Sequence, residues 1–142
     1  MSPPLVVSAR KYLGVPFLHQ GRSKRGLDCA GLPKLSYADL GTVLPDVRGY
    51  GREPFRGRLM QAIIDAFGEP FSTSPDADLQ PGDIAVFRFR DEPHHIAIVG
   101  DSPYGSLTLI HADSSPGCRK VVEHRLDDWW RERLVAAFRR PV

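Results

Sequence analysis

The sequence predicts an α+β fold in which helices come first and an antiparallel sheet follows. In the first half, apolar residues recur at helical spacing in three segments, near 4–13, 28–40 and 59–67. In the second half, short apolar runs alternate with breaker segments such as Asp91-Glu92-Pro93 and Ser115-Pro116-Gly117. Helices followed by strands, rather than alternating with them, are typical of the α+β class.

The helical segments have clear ends but one awkward residue. Gly14, Gly41 and Gly68 each follow the last periodic position of a helix. Pro33 lies four residues after Cys29, where its ring crowds the Cys29 carbonyl unless the second helix begins late. The segment from Gly41 to Gly57 is rich in glycine and proline and is predicted to be a long irregular loop, which in a compact domain is usually functional or disordered.

The strand segments are separated by short breakers, which predicts an antiparallel meander. Asp127–Trp130 reads as a capped helical turn before the last strand. The predicted strands are Ile84–Phe89, His95–Val99, Leu107–Ala112, Arg119–His124 and Leu134–Phe138.

Size and composition indicate one domain, over residues 1–142, with its own hydrophobic core. No apolar run is long enough to span a membrane, so we expect no membrane insertion. The net charge is only +2, and the basic residues lack interleaved aromatic residues, which argues against nucleic-acid binding. The segment Met1–Val7 lacks a basic region and a full apolar region, so we expect no secretory signal peptide.

Cys29 is the candidate nucleophile. It lies in Gly26-Leu27-Asp28-Cys29-Ala30-Gly31-Leu32, where small residues leave room for a substrate and a helix is expected to begin. A helix N-terminus and a nearby imidazole both lower the pKa of a thiol, and the thiolate is the reactive form. We therefore expect the Cys29 pKa to be lowered.

Two histidines are candidates to assist this thiol. His95 opens one predicted strand and His111 closes another, so neighbouring strands would bring both rings to one end of the sheet. His94 competes with His95 as the base, because side chains alternate across a strand and only one of the two can face Cys29. His19 and His124 are expected to be structural or exposed.

Other uses of these residues remain open. Cys29, His95 and His111 make a possible metal-ligand set, although no short-spaced ligand pair anchors it. A disulfide between Cys29 and Cys118 would consume the nucleophile. A serine hydrolase is disfavoured because the sequence has no Gly-x-Ser-x-Gly segment. We expect neither a metal nor a cofactor.

Several segments together resemble the NlpC/P60 family of papain-like cysteine peptidases. They are Tyr12-Leu13-Gly14-Val15-Pro16-Phe17, Asp28-Cys29-Ala30-Gly31-Leu32, Pro81-Gly82-Asp83, His95-Ile96-Ala97-Ile98-Val99 and Leu109-Ile110-His111-Ala112. The resemblance runs nearly end to end. It implies a papain-like fold, in which N-terminal helices pack on the antiparallel sheet, and it implies no cofactor.

The resemblance also implies roles for individual residues. Cys29 would be the nucleophile, His95 the base and His111 the orienting residue. Asp28 would bind the free amine of a peptidoglycan stem peptide, or else cap the second helix. Phe17, where many members have Tyr, and Tyr50 are expected near the substrate. The bond cleaved would be of the D-γ-glutamyl–diamino acid type.

Two further segments resemble the phage-type branch of the family, namely Tyr50-Gly51-Arg52 and Phe138-Arg139-Arg140-Pro141. This resemblance implies a component of a phage or phage-like tail, assembled in the host cytoplasm and acting at the cell wall. The alternative is a structural tail-tip or tail-assembly protein that keeps the fold with weak or no hydrolysis. Tail proteins are the implied partners in either case.

Overall fold

The computed structural model describes residues 2–45, 58–89 and 92–142. Within these ranges the helices are α1 (Pro4–Arg10), α2 (Gly31–Ala38), α3 (Arg58–Phe67) and α4 (Asp128–Arg131). The strands are β1 (Arg22–Ser23), β2 (Gly26–Leu27), β3 (Ile84–Phe89), β4 (Glu92–Asp101), β5 (Leu107–Asp113), β6 (Lys120–Arg125) and β7 (Leu134–Phe138). None of the described helices is long and apolar enough to cross a membrane.

A five-stranded antiparallel sheet with the order β6-β5-β4-β3-β7 forms the second half of the fold. The four strands β3 to β6 follow one another as the predicted meander. The last strand, β7, returns to the other side of β3, where Ala85 pairs with Ala137. The α+β prediction and the five predicted strands are therefore confirmed, with shifts of a few residues at their ends.

The two faces of the sheet carry different layers, because successive side chains of a strand point to opposite faces. One face packs against α1, α2 and α3 and forms the larger core, which includes Leu5, Val6, Leu32, Tyr37, Ile63, Ile84, Ile96, Ile98 and Ile110. The other face carries a smaller cluster with Phe87, Val99, Leu109 and Leu134, against which Trp130 packs. Helices thus cover one face, and the segment around α4 covers part of the other.

The first two helices are shorter than predicted. The structure begins α2 at Gly31, not at Asp28, and ends α1 at Arg10 in a turn that leads to Gly14 at φ +88°. Pro33 is therefore the third residue of α2, within the first turn, where a backbone amide has no intrahelical partner in any case. The late start removes the clash that a longer helix would create at Cys29.

A small hairpin that the sequence did not predict precedes the candidate nucleophile. It consists of β1 and β2, each two residues long, which is too short for an alternation signal. The segment before it joins this hairpin, because the Leu27 amide donates to Pro16 and the Leu18 amide donates to Leu27. The predicted loop from Gly41 to Gly57 falls, from residue 46 onward, outside the described residues.

The hairpin approaches the start of α2 so closely that glycine is needed there. A Cβ at Gly31 would lie 2.3 Å from the carbonyl oxygen of Gly21 and 3.1 Å from Nη1 of Arg22. The sequence analysis assigned the small residues after Cys29 to substrate access. In the structure, Gly31 instead permits backbone contact between the hairpin and α2.

We predict that the cost of substituting Gly31 grows with the size of the new side chain. Gly31→Ala should lower the free energy of unfolding by about 1–3 kcal/mol, the usual cost of overpacking, and Gly31→Ser should cost more. At Gly105, where φ is +83° and no atom lies within 4 Å of an added Cβ, only backbone strain opposes substitution. Urea unfolding should therefore show equal costs for Ala and Ser at Gly105. Equal costs at Gly31 would contradict the close approach.

Candidate active site

The carboxylate of Asp28 holds the turn that carries Cys29. Its Oδ1 accepts a hydrogen bond of 2.8 Å from the Gly31 amide and one of 2.7 Å from Nη1 of Arg22. Its Oδ2 accepts a hydrogen bond of 2.9 Å from the backbone amide of Gln20. Asp28 is only 3% exposed, so this carboxylate is a buried junction between the hairpin and the start of α2.

This junction bears on the two roles predicted for Asp28. The Asp28 carboxylate satisfies the Gly31 amide, one of the orphan amides of the first turn, although the residue directly before α2 is Ala30, whose side chain makes no cap. Both carboxylate oxygens accept bonds from within the fold. Asp28 therefore supports the start of α2 from outside the N-cap position, and amine binding by Asp28 stays a prediction.

The sulfur of Cys29 lies near the backbone of Ile96, in the first half of β4. The backbone amide of Ile96 lowers the pKa of this thiol, and Ile96 directly follows His95 in the chain. Strand β4 pairs with β5 from Ile98 to Asp101, so His95 and Ile96 lie before that pairing begins. The candidate nucleophile and the predicted base therefore lie at the same end of the sheet.

The expectation of a lowered thiol pKa is wrong. Burial raises the pKa of Cys29 to about 12, and the neighbouring Asp28 carboxylate acts in the same direction. The Ile96 amide and the Arg22 guanidinium lower the pKa but do not overcome the desolvation. Moreover, α2 begins two residues after Cys29, and a carboxylate occupies its first amide. The resting group is a neutral thiol.

The predicted contact between His95 and His111 is present. Nε2 of His95 lies 2.8 Å from Nδ1 of His111, and the two rings meet nearly at right angles. Both residues are buried, with His111 only 1% exposed. Burial lowers the pKa of His111 to about 2, and the adjacent rings of His95 and His124 act in the same direction. His111 is therefore neutral at any ordinary pH.

A third imidazole continues the line. Nε2 of His111 lies 2.6 Å from Nε2 of His124, and Nδ1 of His124 lies 2.9 Å from the carbonyl oxygen of Arg125. The sequence analysis expected His124 to be structural or exposed and missed this contact. The available signal was the alternation on β6, which places His124 on the same face as its diagonal neighbour His111.

Trp130 covers this line of imidazoles, which we call the histidine row (His95, His111 and His124). The ring centroid of Trp130 lies 5.7, 5.1 and 5.3 Å from those of the three histidines, in that order. Its position follows from a capped turn, since the Asp127 side chain accepts from the Trp130 amide. Sequence analysis found the cap but did not connect Trp130 to the site.

The remaining predicted positions are less informative about the site. Phe17 is half-buried and packs against the core, where it forms a bridge with Leu27 just before Asp28. Tyr50 and the side chain of His94 lie outside the described residues. Cys29 and Cys118 are both free thiols.

In the part of the chain described, no cluster of His, Cys, Asp and Glu could hold a metal ion, because the nitrogens of the row face one another.

Comparison with known proteins decides the family. The NlpC/P60 family matches residues 14–139, which include Cys29 and the whole histidine row. The chain belongs to the NlpC/P60 family. A comparison with curated proteins finds no match.

The fold of this NlpC/P60 chain is also found among solved structures. The crystal structure titled "NlpC/p60 domain of peptidoglycan hydrolase SagA" matches with a TM-score of 0.61 and 21% sequence identity. The match covers 96% of this chain and 97% of that chain. At this identity the likeness establishes the fold alone, and it confirms the papain-like architecture implied by the sequence.

The raised pKa predicts how Cys29 reacts with iodoacetamide. Because only the thiolate is strongly nucleophilic, the alkylation rate should rise about tenfold per pH unit from neutral pH into the alkaline range. The alkylation rate should not level off until the pH approaches the Cys29 pKa of about 12. Mass spectrometry of the Cys29 peptide in the Cys118→Ser variant measures this rate. A plateau near neutral pH would show that the thiolate is already formed in the resting protein.

The neutral His111 predicts a loss of stability in acid. An unfolded histidine takes up a proton below a pKa of about 6.5, whereas folded His111 does so only near 2. The unfolded state is therefore favoured as pH falls below about 6.5, by about 1.4 kcal/mol per pH unit. The test is denaturant unfolding between pH 6.5 and 4.5, about the range above carboxylate titration. As the pH falls, the free energy of unfolding should decline less steeply for His111→Gln than for the wild type. Parallel declines would contradict a buried neutral ring.

Proposed function

We propose that this chain is a cysteine peptidase in which Cys29 is the nucleophile, His95 the general base and His111 the orienting residue. One observation carries the proposal: the backbone amide of Ile96 acts on the Cys29 thiol, and Ile96 directly follows His95, whose ring is held by His111 at 2.8 Å. A thiol, an imidazole and a group that holds the imidazole are the parts that nucleophilic catalysis at a carbonyl requires.

The neutral thiol determines the first step. Because the pKa of Cys29 is raised, the sulfur has to lose its proton to His95 as it attacks the carbonyl carbon of the substrate. The sulfur–carbon bond forms, and the carbonyl electron pair moves to its oxygen. We propose the backbone amide of Cys29 as one hydrogen-bond donor to this oxyanion.

The second half of the reaction returns both groups to their starting state. His95, now an imidazolium, gives its proton to the leaving amine as the carbon–nitrogen bond breaks, which leaves an acyl group on Cys29. A water then attacks the thioester carbon while His95 takes its proton. The carbon–sulfur bond breaks, His95 returns the proton to the Cys29 sulfur, and the acid product leaves. Since His111 stays neutral throughout, its part is to hold the ring of His95.

The substrate we propose is the stem peptide of peptidoglycan. Membership of the NlpC/P60 family and the shared fold with a domain of a peptidoglycan hydrolase support this class. Within it, we propose cleavage between D-γ-glutamate and the following diamino acid. Beside the turn of Cys29 lies a mainly apolar pocket lined by Ala30, Pro33, Leu59, Ile63 and Ile96, with Arg22 and Lys34 as its cations. We propose that this pocket takes an aliphatic part of the stem peptide.

We also propose that the chain works as a part of a phage or phage-like tail that meets the cell wall, after assembly in the host cytoplasm. The support is the resemblance of two short segments to the phage-type branch. In the structure, Phe138-Arg139-Arg140 has a role within the fold, because Arg139 pairs with Asp83 and Arg140 donates to the Ala66 carbonyl. Immunogold labelling of induced particles tests this location, and label absent from tails would reject it.

The peptidase proposal predicts a graded series of variants. On purified peptidoglycan, Cys29→Ala and His95→Ala should show no turnover, since each removes a reacting group. His111→Ala should lose kcat by orders of magnitude, up to about ten-thousand-fold as for a misoriented serine triad, with KM little changed. His111→Gln should retain more activity than His111→Ala, because an amide can still hydrogen-bond.

The measurement is the release of new amino groups, with product mapping by mass spectrometry. The proposed bond yields fragments that begin with the diamino acid. A Glu132→Gln variant, at an exposed position, serves as the control with normal turnover. Wild-type protein that is folded yet inactive on peptidoglycan and on free stem peptides would favour the structural tail-protein alternative.

A further inference from the structure

We propose that His124 is a positioning residue: it sets the protonated nitrogens of the whole histidine row and so leaves His95 able to act as a base. This inference rests on the proposed function for its catalytic meaning, but its structural claim concerns proton positions and can be tested without activity. The hydrogen bonds along the row all donate in one direction, which we call its polarity. The backbone carbonyl of Arg125, at the far end of the row, sets this direction.

The polarity begins with a group that cannot donate. The carbonyl oxygen of Arg125 is only an acceptor, so Nδ1 of His124, which lies 2.9 Å from it, carries the hydrogen. A neutral imidazole has one protonated nitrogen. With its one hydrogen on Nδ1, the uncharged form of the His124 ring accepts at Nε2.

The same rule passes along the row. Nε2 of His124 lies 2.6 Å from Nε2 of His111, so the hydrogen between them belongs to His111. His111 is 1% exposed and neutral, which makes its Nδ1 an acceptor in turn. At 2.8 Å from that atom, Nε2 of His95 must be the donor. The chain of donors thus runs from His95 through His111 and His124 to the Arg125 carbonyl.

The result decides which nitrogen of His95 can take a proton. With Nε2 protonated and donating to His111, the basic nitrogen of neutral His95 is Nδ1. In the proposed mechanism, this is the atom that takes the proton of Cys29. Reversing the row would place the hydrogen on Nδ1 of His95 and remove the base, in the same way that a wrong tautomer disables a serine triad.

Fold and packing keep the row in one arrangement. His111 pairs with Val122 and Leu109 pairs with His124, so His111 and His124 are diagonal neighbours on one face of two paired strands. Trp130 packs over all three rings. A ring flip of either His111 or His124 would break contacts on both sides of that ring.

The test uses substitutions at His124 that differ in hydrogen-bonding chemistry. His124→Gln offers a carbonyl oxygen to His111 and an amide donor to Arg125, so it keeps the polarity. His124→Lys offers donors only, which favours His111 as the acceptor and reverses the row. Lys120→Gln is the control, because Lys120 is an exposed side chain on the same strand.

Histidine tautomers are read directly from ¹⁵N shifts and long-range ¹H–¹⁵N correlations of the full chain labelled at histidine, above the ordinary pH range of imidazole titration. We expect His95 to be protonated at Nε2 in wild type, His124→Gln and Lys120→Gln, and at Nδ1 in His124→Lys. On peptidoglycan, kcat of His124→Lys should fall on the order of a hundredfold or more at similar KM, while the other two variants stay within about tenfold of wild type.

The outcomes separate the two proposals. Wild-type His95 protonated at Nδ1, or His95 still protonated at Nε2 in His124→Lys, overturns the role of His124 whatever the activity. A reversed tautomer in His124→Lys with unchanged kcat also overturns it. The expected tautomers in a wild-type protein without activity would instead leave the row intact and reject the peptidase proposal. If His124→Lys fails to fold, the wild-type tautomers alone decide the structural claim.

Discussion

The site depends on one buried carboxylate. Asp28 joins the Gln20 amide, the Arg22 guanidinium and the Gly31 amide, and these three contacts hold the turn that presents Cys29. Removing a single partner of a buried ion pair leaves an uncompensated charge, which is far more costly than replacing the whole pair. The local geometry at the nucleophile and the folding of the hairpin onto α2 are therefore one energetic unit.

This arrangement stabilises the turn at the expense of the thiolate. The Asp28 carboxylate adds a negative charge beside the sulfur and occupies the first amide of α2, and burial further raises the Cys29 pKa. In the proposed reaction, His95 therefore has to take the proton of the thiol during the attack. The tautomer of His95 matters for this step, because it determines which ring nitrogen can accept the proton. The contacts along the histidine row set that tautomer in the proposal above.

Predictions made from local patterns succeeded where a segment had a strong period. The strands of the meander and α3 were found nearly to the residue, because their apolar alternation or helical spacing is long enough to be read. The hairpin β1–β2 was missed because two-residue strands have no period. The start of α2 was placed too early, since residues 28–30 form a turn that the buried contacts of Asp28 hold outside the helix.

By itself the sequence determined the fold class, the candidate nucleophile and the two histidines His95 and His111, because residue types and their spacing along the chain carry that information. The tertiary structure decided the rest. Whether the thiol is charged depends on burial and on a carboxylate held by the hairpin. The place of His124 depends on the register of β5 with β6, and that of Trp130 on how α4 folds over the sheet. Such relations join residues distant in the chain, and no local pattern records them.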